Sequence, residues 1–189
     1  MDDKKYNLLD EPWICVMKEN GEVKELSLMD VLLHAHQYRR LAGELPTQDV
    51  AVLRLLLAVL QTVVYRYDTD GNEDELVETE DAYERWKEIW NEGKLPEKPI
   101  REYLTKWKER FYLYDSDRPF YQVPKAAIGT ECKAAKLNGE ISESSNKLRL
   151  FSNRAGKEKE FLSNSEASRW LLYLNGYDDT SAKPKEKGL

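Results

Sequence analysis

A chain of 189 residues is long enough to bury one proper core without disulfide or metal staples. Aromatics make up 11% of it, with five Trp and eleven Tyr, which excludes a disordered chain. The net charge of -6 argues against a generic nucleic-acid coat protein, whose balance is basic.

The start, Met1-Asp2-Asp3-Lys4-Lys5, is charged and has no apolar stretch behind it, which predicts no signal peptide and a cytoplasmic location. The longest apolar run, Val50 to Val64, contains Arg54 and reads as too short and too polar for a membrane span. Cys15 and Cys132 lie far apart and read as free thiols, unable to form a zinc site by themselves. Charge is unevenly placed. Residues 125–189 carry 12 Lys/Arg and 9 Asp/Glu, a net of +3, against -9 for residues 1–124.

The first elements read as a β-hairpin. Trp13 to Met17 and Val23 to Leu26 flank Asn20-Gly21, a pair that favours the positive φ of a tight turn. A helix is predicted next, with Ser27 as cap, Asp30 three residues on, and Leu28, Val31, Leu32, Ala35 and Tyr38 at helical spacing. Arg39 and Arg40 suit its end and Gly43 its stop.

The following helix runs from near Thr47 to about Tyr67. It is apolar over almost its whole circumference, which predicts a central buried helix. Asp68 to Glu78 is an acidic connector. A third helix spans Thr79 to Trp90, with Tyr83, Trp86 and Trp90 on one face and Gly93 behind it. A fourth spans Pro99 to Phe111, with Ile100, Tyr103, Leu104, Trp107 and Phe111 as its stripe. Tyr112 to Gln122 then turns extended.

Residues 123–160 show little hydrophobic period and predict a long loop or a few short strands. Ser163-Asn164-Ser165-Glu166 is a capping box for a last helix, with Ala167, Trp170, Leu171 and Leu174 as stripe and Gly176 as stop. The tail through Lys183, Lys185 and Lys187 has no structural signal. The expected fold class is therefore α+β and predominantly helical, with an N-terminal hairpin, about five helices and a long loop before the last one. Its parts are an acidic helical core over 1–124, a basic loop-rich segment over 125–160, the last helix over 161–178 and a flexible tail over 179–189.

Few constellations carry chemistry. His34 and His36 point roughly 200° apart on a helix, so one metal cannot take both. The stretch Asp68 to Asp74 fails the register of a calcium loop, because glycine falls at the fourth place and Thr79 at the twelfth. No nucleophile elbow, phosphate loop or zinc-protease motif is present, so the chain reads as no enzyme and needing no cofactor. The aromatic series Tyr83, Trp86, Trp90, Tyr103, Trp107, Phe111 could stack on bases, but its helical spacing favours core packing. Lys147, Arg149, Arg154, Lys157 and Lys159, interleaved with Leu148, Leu150, Phe151, Ser152 and Asn153, suit phosphate contact plus stacking or edge readout. A solvated charged loop fits the same composition.

Several segments together resemble one family, the large subunit of the type I-E CRISPR Cascade complex (CasA family). They are Asn7-Leu8-Leu9-Asp10-Glu11-Pro12-Trp13-Ile14, then Glu44-Leu45-Pro46-Thr47-Gln48-Asp49. Arg118-Pro119-Phe120-Tyr121-Gln122 and Phe161-Leu162-Ser163 follow, before the helix around Trp170-Leu171-Leu172-Tyr173-Leu174. The resemblance spans Asn7 to about Asp178.

It implies a non-enzymatic subunit of an RNA-guided surveillance complex, one that recognises the protospacer-adjacent motif in duplex DNA and helps recruit a nuclease-helicase. The implied partners are the other Cascade subunits, the 5′ region of the guide RNA and target DNA, with no membrane. A Phe with Asn two positions later in the family's mobile loop is matched by Phe151 and Asn153, with Ser152 between them. The implied nucleic-acid contacts are that trio with Lys147, Arg149, Arg154 and Lys157, and beyond the last helix Lys183, Lys185 and Lys187 where members carry a glycine-rich loop. Members are considerably longer and end in a helical bundle, so the resemblance implies a fragment, a truncation or one part of a split subunit. A scaffold that meets basic neighbours without touching nucleic acid, and an unrelated cytoplasmic helical enzyme or regulator, are the competing readings.

Overall fold

The computed structural model describes residues 4–124, 134–137, 154 and 160–177. Strand β1 (Lys5–Asn7) leads into the turn Leu8 to Pro12, which the side chain of Asn7 organises. Its Oδ1 accepts from the Leu9 N–H at 3.0 Å, and its backbone oxygen accepts from Asp10 and Glu11. This turn drives Leu8, Leu9 and Trp13 to full burial, and the Trp13 indole donates to the Leu8 carbonyl at 2.9 Å.

The predicted hairpin is present as β2 (Ile14–Lys18) and β3 (Val23–Leu26), paired antiparallel. Gly21 sits at φ 84 in its turn. Ser27 then caps α1 (Leu28–Leu33), accepting from the Asp30 N–H at 3.0 Å.

The predicted continuation of that helix to Tyr38 is not found. After a 3-10 turn over Ala35–Gln37 the chain becomes strand β4 (Tyr38–Leu41), which pairs with the free edge of β2. The sheet order is β3-β2-β4. An unpaired β2 edge offers Tyr38, Arg39 and Arg40 a ladder of hydrogen bonds, and that tertiary pairing overrides a weak helical period.

Helix α2 (Pro46–Arg66) is the spine of the fold. It is long and apolar enough to cross a membrane, yet half of its most apolar window is buried in this core. The prediction of burial all round is corrected. Val52, Leu56, Val59 and Val63 face inward, whereas Val50, Leu53 and Leu57 are each more than 40% exposed. Two later helices, over Glu97–Lys106 and Asn164–Tyr177, pack against α2, and among the described residues the stripe of Val50, Leu53 and Leu57 is left exposed.

Helix α3 (Thr79–Glu92) ends at Gly93, φ 67, as its sequence signals. Its phase is not the predicted one. Arg85 and Ile89 are buried, while Tyr83, Trp86 and Trp90 are 66%, 42% and 85% exposed. Arg85 explains this. Its guanidinium donates to the carbonyls of Val64 and Asp74, both at 2.8 Å, and pairs with the Asp74 carboxylate. It thereby satisfies a carbonyl in the last turn of α2 and fixes the connector to the core. With Arg85 inward, the aromatic face must turn outward.

Helix α4 (Glu97–Lys106) buries Ile100 and Leu104 completely, and a 3-10 turn follows over Lys108–Arg110. Trp107, expected in the same stripe, is instead 37% exposed. Strand β5 (Tyr112–Tyr114) pairs with β1. The next segment closes on itself. Asp115 accepts from the N–H groups of Asp117 and Arg118, and the Gln122 amide donates to the Leu113 carbonyl at 2.8 Å. Phe120 is buried and stacks on Phe111 with ring centroids 5.7 Å apart. Helix α5 (Ala134–Leu137) is a single turn inside the segment read as a loop.

Helix α6 (Asn164–Tyr177) carries the predicted capping box. Ser163 Oγ accepts from the Glu166 N–H, and Glu166 accepts from the Ser163 N–H at 2.7 Å. Its inner face differs from the predicted apolar stripe. Ser165, Ser168, Arg169, Trp170 and Leu172 are buried, and Ala167, Leu171 and Leu174 are half-buried. Mixed helix and strand with helices dominant is the class the sequence indicates.

Candidate nucleic-acid interface

Phe151, Ser152 and Asn153, with Lys147, Arg149, Lys157, Lys183, Lys185 and Lys187, lie outside the described residues. Arg154 is the one sequence-predicted contact residue that the structure places. Its side chain is 11% exposed and held between two carboxylates. One nitrogen, Nη2, lies 2.8 Å from Glu44 Oε2 and 2.8 Å from Glu166 Oε1. Burial opposes its charge, but Glu44 and Glu166 outweigh that and hold the guanidinium above its ordinary pKa.

Glu44 comes from the turn between β4 and α2. That turn is shaped by α2 itself. The Gly43 N–H donates to Asp49 Oδ1 at 2.7 Å, and the Glu44 N–H donates to Gln48 Oε1 at 3.1 Å. A Cβ on Gly43 would stand 2.7 Å from Gln48 Oε1 and 2.8 Å from Asp49 Oδ1, so glycine permits the close approach. The other oxygen of Glu44 accepts from the Trp170 indole at 3.1 Å. Glu166 comes from the first turn of α6, where it also serves the capping box and favours the helix dipole.

Beside this pair lies a second buried cation. Arg169 Nη1 donates to the Trp13 carbonyl, to Glu25 Oε1 and to Ser165 Oγ, each at 2.7 Å. Ser165 Oγ in turn donates to Glu25 at 2.6 Å. Burial pushes the Glu25 carboxyl up, but Ser165 and Arg169 outweigh it and hold it below the usual carboxylate range. Glu166 behaves alike: burial raises it, and the Ser163 N–H and Arg154 bring it below. The two clusters meet where Arg169 Nη2 comes within 3.9 Å of Glu44. Carboxylates from β3, the β4–α2 turn and α6 thus converge on two guanidinium groups, one of which belongs to the basic segment.

Glu25 and Arg169 have no role in the sequence reading, Glu44 enters it only through the family resemblance, and Glu166 only as a capping residue. A signal existed for Arg169, a cation four residues after Ser165 on the inner face of an otherwise half-apolar helix. The histidines add nothing to this site: His34 is half-buried, His36 is exposed, and His34 Nδ1 lies 3.0 Å from the Asp30 carbonyl. Asp68, considered above as a calcium ligand, accepts instead from the backbone and side-chain nitrogens of Asn72, at 2.7 and 2.8 Å. Among the described residues no group of three His, Cys, Asp or Glu could hold a metal.

This architecture is shared with known proteins. A family model described as CRISPR-associated protein Cse1 matches residues 7–187. The CRISPR-associated protein CasA/Cse1 of Thermus thermophilus is 33% identical over 169 residues, which are 89% of this chain and 31% of that protein. The crystal structure of Thermobifida fusca Cse1 superposes with a TM-score of 0.72 at 33% identity, over 94% of this chain and 31% of its own. A chain of a CRISPR RNA-guided surveillance complex, 20% identical, shares the fold with a TM-score of 0.69 over 90% of this chain and 34% of its own. The chain therefore spans about a third of the length of these relatives. By the match of its sequence and fold over nearly its whole length, it belongs to the CRISPR-associated Cse1 (CasA) family.

Proposed function

We propose that this chain is a non-catalytic subunit, or portion of one, of an RNA-guided CRISPR surveillance complex, taking part in recognition of the protospacer-adjacent motif, in target DNA binding and in recruitment of the nuclease-helicase. The observation that supports this most directly is the family match over residues 7–187, with a fold shared with a chain of a CRISPR RNA-guided surveillance complex. Arg154 follows Phe151-Ser152-Asn153 without a gap and is clamped by Glu44 and Glu166. In this reading Phe151 stacks on RNA or DNA and Asn153 offers it an amide. Arg154 positions the segment rather than meeting phosphate. Lys147, Arg149, Lys157 and the terminal lysines supply phosphate contacts.

Affinity of the isolated chain is expected to be weak, because a net charge of -6 opposes phosphate and few cations are available to release counterions. The test compares binding of duplex DNA with and without the adjacent motif by the assembled complex, prepared with and without this chain. Motif-dependent binding that appears with the chain supports the reading. Equal binding in its absence, or turnover of a substrate by the chain alone, overturns it.

A further inference from the structure

A small hollow lies where α2, the last turn of α6 and the turn that carries Tyr121 come together. It measures about 190 Å³, and Arg54, Ala58, Tyr121, Leu172, Asn175 and Gly176 are among its lining residues. Small-molecule sites run to about 300–1,000 Å³, so this space suits one small group and not a whole ligand. Among the described residues Arg54 is the only charged lining group, and no carboxylate lines the hollow.

Arg54 is held in place without being used up. A Cβ at Gly176 would stand 3.7 Å from Arg54 Nη1, so the guanidinium lies against the last turn of α6. The unsatisfied carbonyls of a helix end attract a cation. Among the described residues, however, Arg54 makes no hydrogen bond and no ion pair. Arg85, Arg154 and Arg169 are each paired with a carboxylate. The five N–H donors of Arg54 therefore remain available.

Tyr121 is set from the other side. Its backbone sits at φ 54, a left-handed value that a bulky residue rarely adopts. That turn lets Phe120 be buried and the Gln122 amide reach the Leu113 carbonyl, while Tyr121 is left 50% exposed. The Tyr121 carbonyl accepts from Asn175 Nδ2 at 3.5 Å, which ties the turn to α6. Its hydroxyl has no partner among the described residues. Backbone strain of this kind gathers at functional positions.

Donor type and charge decide what fits. A guanidinium beside a phenol hydroxyl is a donor set that contacts phosphate oxygens. The dipole of α6 disfavours an anion at this end, so Arg54 is the group that makes one acceptable. Residues 178–189, which follow α6, hold three Asp/Glu and three Lys and add no net charge. Resting on the nucleic-acid reading above, we propose that Arg54 and Tyr121 seat one backbone phosphodiester of the bound nucleic acid, with Asn175 positioning Tyr121. The seat lies at the opposite end of α6 from the Arg154 clamp, so it gives the nucleic acid a second point of attachment.

The test uses the assembled complex. Tyr121→benzoylphenylalanine is irradiated with labelled target duplex and, separately, with labelled guide RNA. A crosslink to one of them is expected and names the source of the phosphodiester. Crosslinks to protein alone overturn the proposal, because a carboxylate of a neighbouring subunit would then be the occupant. Binding of the crosslinked nucleic acid is next measured across a salt series with wild type, Arg54→Ala and Arg54→Lys. Arg54→Ala should lower affinity about threefold to tenfold and reduce the slope of log affinity against log salt by about one. Arg54→Lys should keep the slope, since an ammonium still displaces a counterion from phosphate. Arg54 is exposed, so melting temperatures close to wild type are expected and are checked alongside. Equal affinity and equal slope for wild type and Arg54→Ala overturn the proposal. Failure of the underlying reading shows instead in the wild type, as binding indifferent to the presence of the chain.

Discussion

Arg154 and Glu44 stand 110 residues apart in sequence and 2.8 Å apart in space, joining the basic segment to the turn that opens the longest helix. The same guanidinium nitrogen reaches Glu166 at the start of α6. A side chain that composition alone assigns to phosphate is thus placed between two carboxylates of its own fold.

Removing that cation leaves two partly buried carboxylates facing each other. Arg154→Ala is expected to lower stability by about 1–3 kcal/mol, the range for losing charge-assisted hydrogen bonds. Arg154→Lys should recover part of this, since an ammonium keeps the charge without the planar fork. Urea unfolding midpoints of the three proteins check the order, and an unchanged midpoint for Arg154→Ala would refute the clamp.

Gly43→Ala tests the turn that presents Glu44. The added methyl meets two oxygens that already serve as hydrogen-bond acceptors, and Gln48 is fully buried. A destabilisation of about 1–2 kcal/mol is expected, as for modest overpacking. Thermal unfolding measures it.

The docking of α6 should be sensitive to acid. Glu25 and Glu166 titrate below their ordinary value of 4.5 in the folded chain. Their contribution is fully present above that value and is lost as pH falls through the lowered folded values. Stability measured downward from pH 6 should therefore decline below about 4.5, the ordinary glutamate value. The decline should be shallower in Glu25→Gln. Identical acid limbs would contradict the assignment.

Cys15 is expected to resist thiol reagents. Burial, together with the neighbouring Glu25, pushes its thiol up to about 11, so little thiolate exists at neutral pH. In Cys132→Ser, reaction of Cys15 with an aromatic disulfide at pH 7.5 should be slow in the folded chain and fast in denaturant, and rapid native labelling would contradict the burial.

Legibility in the sequence followed the range of the forces involved. Asn20-Gly21, Ser27 with Asp30, Gly93, and Ser163 with Glu166 act within a few residues, and each is found where its sequence signals it. Strand β4 is decided by the edge of β2, far back in the chain, so helical spacing misassigns it. The aromatic face of α3 is misplaced for a related reason. Hydrophobic period assumes that tryptophan is inside, whereas Arg85 satisfies carbonyls of Val64 and Asp74 and takes the inner position. The exposed stripe Val50, Leu53, Leu57 is hidden from the same logic, because an all-round apolar helix does not say which side is covered. Of the candidate contact set, the trio and the lysines were readable as chemistry. The placement of Arg154 depended on Glu44 and Glu166, which no local pattern links to it.

The central claim is that stacking and amide contact with nucleic acid come from the segment held by Arg154, with phosphate contacts from its cations and the terminal lysines. It is tested most directly by the affinity of the assembled complex for motif-containing duplex DNA, with wild-type chain and with Phe151→Ala/Asn153→Ala. A loss of about tenfold or more is predicted, in keeping with one stacking contact and one polar contact removed. Unchanged affinity would contradict the account.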